Sequence, residues 1–239
     1  MAMEHQPSGP PQGLGSDDLD AAARALRVQI LSTEHWSLLA TRSMSWNEAF
    51  QRAGMFLSLL SGAIVALALV AQATAFGQGF VLFALTILPV VLFVGVATYV
   101  RLLEINNEDY FWVRGMNRLR GAYLEIDPQL APYFITGSTE DAAGIFATFG
   151  SHVTSPRSLD TGRFHGLVTT PTTIAFVDAM LAAVLAAIVV VQLNVAMLPA
   201  AGIGVVAFIV VGVGLALFGY QSQEMASLYP EASAPKDDG

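Results

Sequence analysis

One ionisable side chain stands at the edge of an otherwise charge-free apolar stretch, and this residue is the best placed in the chain to do chemistry. Asp178 begins a stretch with no other charged residue before Glu224. A carboxylate inside the hydrocarbon of a membrane is costly, and such groups often mark the path of an ion, a proton or a substrate. The favoured interpretation is structural: a hydrogen bond near the membrane boundary, or an ion pair with Arg52 or Arg101. The alternative is a role in conduction or gating.

A weak internal symmetry adds a second candidate. Placing Gln72 over Gln192 aligns Ser58 with Asp178. Two parallel helical hairpins of the same orientation form such repeats in some transporters, but apolar sequence of low complexity also produces such matches by chance. Asp178 and Ser58 are therefore the candidates for a pore or a gate.

Other kinds of site find little support in the sequence. The chain has no cysteine, which excludes disulfides, thiolate zinc sites and a cysteine nucleophile. The glycine pattern from Gly202 to Ala207 lies in an apolar stretch, without the strand and turn that a dinucleotide site needs. The net charge of −8 argues against a nucleic-acid partner. The four histidines lack the spacing of a metal site: His5, His35, His152 and His165. We therefore expect no enzymatic activity, cofactor or metal.

Two long charge-free blocks define the elements that must position these residues. The chain is only 13% charged, against about 25% in an average soluble domain. One block lies between Arg52 and Arg101, the other between Asp178 and Glu224, and each is long enough for two spans of about 20 residues. The sequence predicts an all-α polytopic membrane protein, with four transmembrane helices as two hairpins plus a helical cytoplasmic layer. The spans are expected near residues 54–74, 80–100, 171–193 and 198–220.

Breakers and charges divide the chain into six predicted segments. These are a disordered N-terminus (1–15), a cytoplasmic amphipathic helical segment (16–52), a first transmembrane hairpin (53–100), a cytoplasmic helical segment (101–170), a second hairpin (171–220) and a flexible acidic tail (221–239). Within the first helical segment, two apolar stripes out of phase predict a bend near Ser32 to Glu34.

The segment after the second span has its own local signals. An apolar stripe at helical spacing predicts that the second span continues as a helix until Asp127 and Pro128, because the residue before proline disfavours the α region. Glu104, Glu108 and Asp109 should form a solvated or arginine-paired surface of this helix. A capping box from Ser138 to Asp141 predicts a short helix with Ile145, Phe146 and Phe149, and apolar residues of this segment should pack on the N-terminal helix.

Orientation follows from the positions of the basic residues. Four arginines precede the first block, six lie between the blocks, and the turns inside the blocks hold no Lys or Arg. The positive-inside rule therefore places both termini and the central segment in the cytoplasm.

Small, aromatic and proline residues indicate how the spans pack. Small residues recur every fourth position in the first and third spans, which favours close helix packing over the alternative of a pore lining. Pro89 should kink the second span. The packing candidates are Gly54, Gly62, Ala66, Ala175, Ala179, Ala183 and Gly212. The interfacial anchors are Trp36, Trp46, Trp112, Arg52 and Arg101.

Two stretches of the sequence resemble known proteins. Residues 34–43 (EHWSLLATRS) and 115–128 (GMNRLRGAYLEIDP) look like segments of a family of actinobacterial four-span integral membrane proteins. This resemblance implies a bacterial plasma membrane and transfers no site residue. The plan of helices and hairpins is also similar, in architecture alone, to multi-span effectors of bacterial antiphage systems.

The leading functional hypothesis is a homo-oligomeric, channel-like or pore-forming assembly in the lipid bilayer. Four thin spans with small faces bury little within one subunit, which favours a homo-oligomer. A structural or signalling scaffold that acts on a cytoplasmic protein partner is nearly as well supported, and a small transporter comes third.

Overall fold

A computed structural model of the chain describes residues 16–149 and 169–228, and everything described is helix or connecting turn. The described residues form five α-helices, with a 3-10 turn at Pro128–Tyr133 between the second and the third. They are α1 (Ser16–Thr74), α2 (Gln78–Ile126), α3 (Ala142–Phe149), α4 (Thr170–Gln192) and α5 (Met197–Leu228).

Four of these helices are long and apolar enough to cross a membrane. They are Asp17–Thr74, Gln78–Ile126, Thr170–Gln192 and Met197–Ser222. The predicted all-α class and the four candidate spans are therefore confirmed by length and composition. α1 and α2 are much longer than one span, since 59 and 49 residues correspond to roughly 90 and 75 Å at 1.5 Å per residue.

α1 and α2 lie side by side in opposite directions. Three ion pairs join them in reverse order along the two helices: Arg27 with Glu125, Arg42 with Asp109, and Glu48 with Arg101. The buried positions of α2 recur at steps of three and four residues, including Ala84, Leu88, Val91, Gly95, Thr98, Leu102, Ile105 and Asp109. This is the spacing of helices that pack through one continuous seam.

α4 and α5 form the second packed pair, and small side chains bring them close together. A Cβ built on Gly204 would lie 3.0 Å from the carbonyl oxygen of Ala183, and one on Gly212 would lie 3.7 Å from the Cβ of Ala179. α2 joins the two pairs, because the Tyr99 hydroxyl donates a hydrogen bond of 2.7 Å to the Leu215 carbonyl of α5. The main hydrophobic core accordingly combines residues of α1, α2 and α4.

The turns and helix ends follow local sequence, with small differences from expectation. α2 ends at Ile126 with Asp127 as its C-cap, as the proline at position 128 predicts. α3 begins one residue after Asp141, whose Oδ1 accepts a hydrogen bond from the Gly144 amide. Asp141 is therefore the N-cap itself rather than the third helical residue of a capping box that opens at Ser138.

α1 is one continuous helix through residues 32–34, where the sequence predicts a bend. α5 extends to Leu228, so residues 221–228 of the predicted flexible tail are helical. The predicted disordered residues 1–15, the remainder of the tail and most of the predicted loop at 150–170 lie outside the described residues.

The part of α2 beyond the predicted second span carries a small polar and apolar cluster. Val113, Met116 and Ile145 form a buried cluster with Leu38 of α1 packed against it. The amide of Asn117, which is fully buried, donates to the Thr139 carbonyl at 2.9 Å. These contacts hold α3 and the loop before it on the two long helices.

Candidate functional site

Asp178 lies inside the helix packing of a single chain. It stands eight positions after the first residue of α4, about 12 Å along the helix axis. Its side chain is fully buried, and neither carboxylate oxygen has a hydrogen-bond donor in the described part of the chain. An ionisable group in this condition is rare, because burying a charge without a partner costs several kcal/mol.

Gly95 of α2 makes the space that the Asp178 carboxyl group occupies. A Cβ built on Gly95 would overlap Oδ1 of Asp178, and it would lie 2.7 Å from the carboxyl carbon. The same Cβ would lie 2.8 Å from Cε2 of Phe56, a fully buried ring on α1. Three helices therefore meet at this carboxyl group, and only glycine fits at position 95 without a shift.

The polar groups nearest in sequence to Gly95 bond elsewhere. The Thr98 hydroxyl donates to the Val94 carbonyl at 2.8 Å, within α2. The Tyr99 hydroxyl donates to the Leu215 carbonyl of α5. Neither hydroxyl is therefore the donor for Asp178.

The two arginines proposed as partners of Asp178 are engaged outside the predicted spans. Arg101 contacts Glu48, Glu104 and Glu108, each at 3.0 Å, and Arg52 contacts Glu48 at 2.7 Å. Hydrogen bonds from Arg101 and then from Arg52 lower the pKa of Glu48 to about 2. The interaction of Asp178 with either arginine, one of the predicted alternatives, is not made.

Ser58 lies on the opposite side of α1 from the carboxyl site. Its side chain is exposed, and its hydroxyl donates to the Gly54 carbonyl of the same helix at 2.9 Å. Phe56, two residues earlier, faces inward to Asp178. The two candidate gating residues are therefore not brought together within one chain.

An apolar groove of about 300 Å³ opens between α1, α2 and α4 beside the carboxyl site. Val177 and Leu181, which flank Asp178 along α4, are among its lining residues, and all lining side chains are hydrocarbon or aromatic or the thioether of Met180. Such a surface does not solvate an ion. In the single chain, Asp178 thus lies beside an apolar groove rather than along a polar path.

The predicted packing residues divide into two groups. In α4, Ala179 is fully buried, and Ala175 and Ala183 are half-buried. In α1, by contrast, Gly54 and Gly62 are exposed, and a Cβ on either would meet nothing in the described chain within 4 Å. Ala66 is the half-buried member of this α1 set, and a Cβ on Gly212 of α5 would lie 3.7 Å from that of Ala179.

The predicted kink residue and the predicted tryptophan anchors differ in how exposed they are. α2 runs through Pro89, whose side chain is exposed. Trp36 is 70% exposed, Trp46 is half-buried, and half-buried Trp112 has an indole nitrogen without an acceptor among the described residues.

Sequence reasoning missed Gly95 and Phe56, which complete the carboxyl site. A single glycine in an apolar helix carries no signal of its own, because helix packing alone explains most such residues. It also left open that Asp109 is fully buried and paired with Arg42 at 2.6 Å. Glu104 and Glu108 pair with Arg101, as the arginine-paired interpretation predicts.

The described chain holds no group of three or more His, Asp or Glu residues that could bind a metal ion. By helix length and composition the chain has the character of a multi-pass membrane protein. It matches no protein-family model, no curated protein and no solved structure.

Proposed function

We propose that the protein is a homo-oligomeric, channel-like assembly of a bacterial plasma membrane, without enzymatic activity, in which Asp178 controls opening. The observation that carries this proposal is a buried carboxyl group without a donor in the described chain, at the contact of three helices. The charge of such a group has to be compensated by a proton, a cation or a new donor. A change in that compensation changes the relative stability of two helix arrangements, which is the requirement for a gate.

The geometry supports a gating role for Asp178 better than a lining role. Phe56 and Gly95 enclose the carboxyl group within one subunit, and the groove beside it is apolar. A residue that lines an ion path needs contact with water or with polar groups. Separation of α4 from α2 would expose the carboxyl group, whereas close packing hides it.

The proposed topology has two transmembrane hairpins, α1 with α2 and α4 with α5. Both termini and residues 101–170 would lie in the cytoplasm, since the arginines concentrate there and the turns between paired helices hold no Lys or Arg. The ion pairs of Arg101 with three glutamates would then lie just inside the cytoplasmic boundary.

Oligomerisation is supported by how little the spans bury within one chain. In the most apolar 18-residue stretch of each helix, only 17% of α1 and 6% of α5 is buried within the chain. The remaining surface contacts lipid or other chains, and exposed Gly54 and Gly62 would allow another helix to approach closely.

The test is ion flux through purified protein in liposomes, with voltage, pH and membrane tension varied. Wild type should pass ions under at least one of these stimuli, and Asp178→Asn should change the stimulus needed for opening. Asp20→Asn is the matched control, because it makes the same chemical change at an exposed position of α1. Unchanged flux in Asp178→Asn would remove the gating role.

A scaffold is the second candidate, and the extramembrane helices favour it. Beyond the predicted spans, α1 and α2 stay paired through Arg27, Arg42 and their partners, and α3 packs on them. A rigid, ion-paired layer of this kind can present a surface to a cytoplasmic protein partner. Liposomes that pass no ions under any stimulus would favour the scaffold. Saturable uptake of one solute would favour a small transporter.

A further inference from the structure

One face of α1 carries no charged side chain along about 44 residues, although much of the helix lies outside the predicted spans. We call it the neutral face of α1. Its positions follow one another at steps of three or four residues, which place them on one side of a helix. They are Ala25, Val28, Ser32, Trp36, Leu39, Ser43, Trp46, Phe50, Gly54, Leu57, Ser61, Ile64 and Ala68.

The neutral face is open to the surroundings of the chain. Before the span, Trp36 is 70% exposed and Phe50 is 61% exposed. Within the span, Leu57 and Ile64 are 44% and 57% exposed. Large apolar side chains are thus uncovered on both sides of residue 54, where the predicted span begins.

Three charged residues of α1 lie on its other side, against α2. Arg27, Arg42 and Glu48 all pair with charged residues of α2. A helix that faces water normally turns its charges outward and its apolar residues toward its partner. Outside the span, α1 departs from this rule: Arg42 and Glu48 face α2 beside Leu38, whereas Trp36, Leu39 and Phe50 are exposed. The neutral face therefore has the composition of a contact surface rather than that of a surface in water.

The occupant of this face must extend across the membrane boundary. Trp36 lies 18 residues before Gly54, roughly 27 Å along the axis, well beyond a headgroup layer of about 5–8 Å. Lipid therefore covers only the part within the span, and a soluble protein covers only the part outside it. A second copy of this chain presents the same face, with the same length and orientation in the membrane, on both sides of the boundary.

We propose that the neutral face of α1 is the contact between two copies of this chain, with their α1 helices parallel. The proposal rests on the homo-oligomer in the proposed function, but not on conduction. In a two-fold parallel pair each residue meets its own counterpart, so like charges would repel, and this face offers none. The hydroxyl of Ser61 already donates to the Leu57 carbonyl of its own helix at 2.8 Å. Gly54 and Ser61 allow close approach within the bilayer.

Disulfide cross-linking tests this contact directly, because the chain has no cysteine of its own. Ser43→Cys probes the neutral face outside the span, and Ser61→Cys probes it inside. Ser37→Cys is the matched control, since Ser37 is an exposed serine of the same helix that points away from the face. A disulfide needs Cα atoms within about 7 Å, so oxidised membranes should give linked dimers for Ser43→Cys and Ser61→Cys and only traces for Ser37→Cys.

The outcomes separate the proposal from its alternatives. Equal linkage at Ser37 and Ser43 would mean random collision, and no linkage at Ser43 or Ser61 would mean that lipid or another protein covers the face. Either result overturns the proposal. Linked dimers in liposomes that pass no ions would keep the contact and remove the channel.

A second measurement uses particle mass in mild detergent. Leu39→Glu places like charges opposite each other at the proposed contact and should shift the protein from dimer or higher oligomer to monomer. Met44→Glu is its control, because Met44 is 72% exposed on α1 but lies off the neutral face. An unchanged oligomer in Leu39→Glu, or equal dissociation in both variants, would contradict the proposal.

Discussion

Replacing Gly95 by alanine probes the packing around the buried carboxyl group more sharply than any change at Asp178 itself. The added methyl group would overlap Oδ1 of Asp178 and would lie 2.8 Å from the Phe56 ring. Both neighbours are fully buried, so neither has free space into which to move. α2, α4 or the ring of α1 must shift to admit one carbon atom.

The magnitude follows from two opposing effects. Forcing an extra carbon into a well-packed core costs about 1–3 kcal/mol, whereas alanine gains about 1 kcal/mol over glycine inside a helix. Gly95→Ala should therefore destabilise the fold by roughly 0–2 kcal/mol. Gly214→Ala is the matched control, since a Cβ there meets nothing in the described chain within 4 Å. The two substitutions should differ by about 1–3 kcal/mol in their effect, because helix propensity cancels between them.

The assay is reversible unfolding in mixed micelles, with the free energy of unfolding obtained for each variant. Adding Asp178→Ala to Gly95→Ala removes the carboxyl group that the new methyl group would overlap. The double variant should thus lose less than the sum of the two single changes, with a coupling energy of about 0.5–2 kcal/mol. Equal stabilities of the Gly95 and Gly214 variants, or strict additivity in the double variant, would refute the packing argument.

Three further predictions concern contacts between helices and use the same unfolding assay. Arg42→Ala leaves Asp109 buried without its partner and should cost about 3–5 kcal/mol, and the double variant Arg42→Met with Asp109→Leu should recover most of that loss; no recovery would contradict the account. The depressed pKa of Glu48, about 2 against an ordinary 4.5, stabilises the fold above pH 4.5 and loses this effect as the pH falls toward 2. The stability difference between wild type and Glu48→Gln should therefore stay level at neutral pH and shrink below pH 4.5, and a difference that grows in acid would be inconsistent with it. Tyr99→Phe removes the hydrogen bond to the Leu215 carbonyl and should cost about 1 kcal/mol, and a neutral result would show that this contact between α2 and α5 contributes little.

The long helices could be predicted because they depend on local and one-dimensional signals. The absence of charge over two blocks indicates membrane spans whatever surrounds them. The end of α2 at Ile126 follows from the proline at position 128, which restricts its neighbour by sterics alone. The two out-of-phase apolar stripes of α1 belong to one continuous helix, and both are exposed, with Leu26 at 57% and Trp36 at 70%.

The surroundings of the candidate residue could not be predicted from the same signals. Asp178 was recognisable as a charge in an apolar stretch, but its enclosure depends on Gly95 and Phe56, which lie far away in the sequence. The expected alternative of a pair with Arg52 or Arg101 failed because Glu48 is nearer to both arginines. Choices among several charged partners depend on helix register, and composition does not specify register.

The sequence by itself determined that the described chain is helical, that four helices can cross a membrane, and that one carboxyl group stands apart at the edge of a charge-free block. These properties follow from hydropathy, helix length and the chemistry of single residues. Only the tertiary structure decided that Asp178 lies inside the subunit against Gly95, that Ser58 faces outward, and that Arg27, Arg42 and Glu48 of α1 pair with residues of α2. The physical reason is that burial and pairing are set by which helix faces meet, and that depends on contacts between residues far apart along the chain.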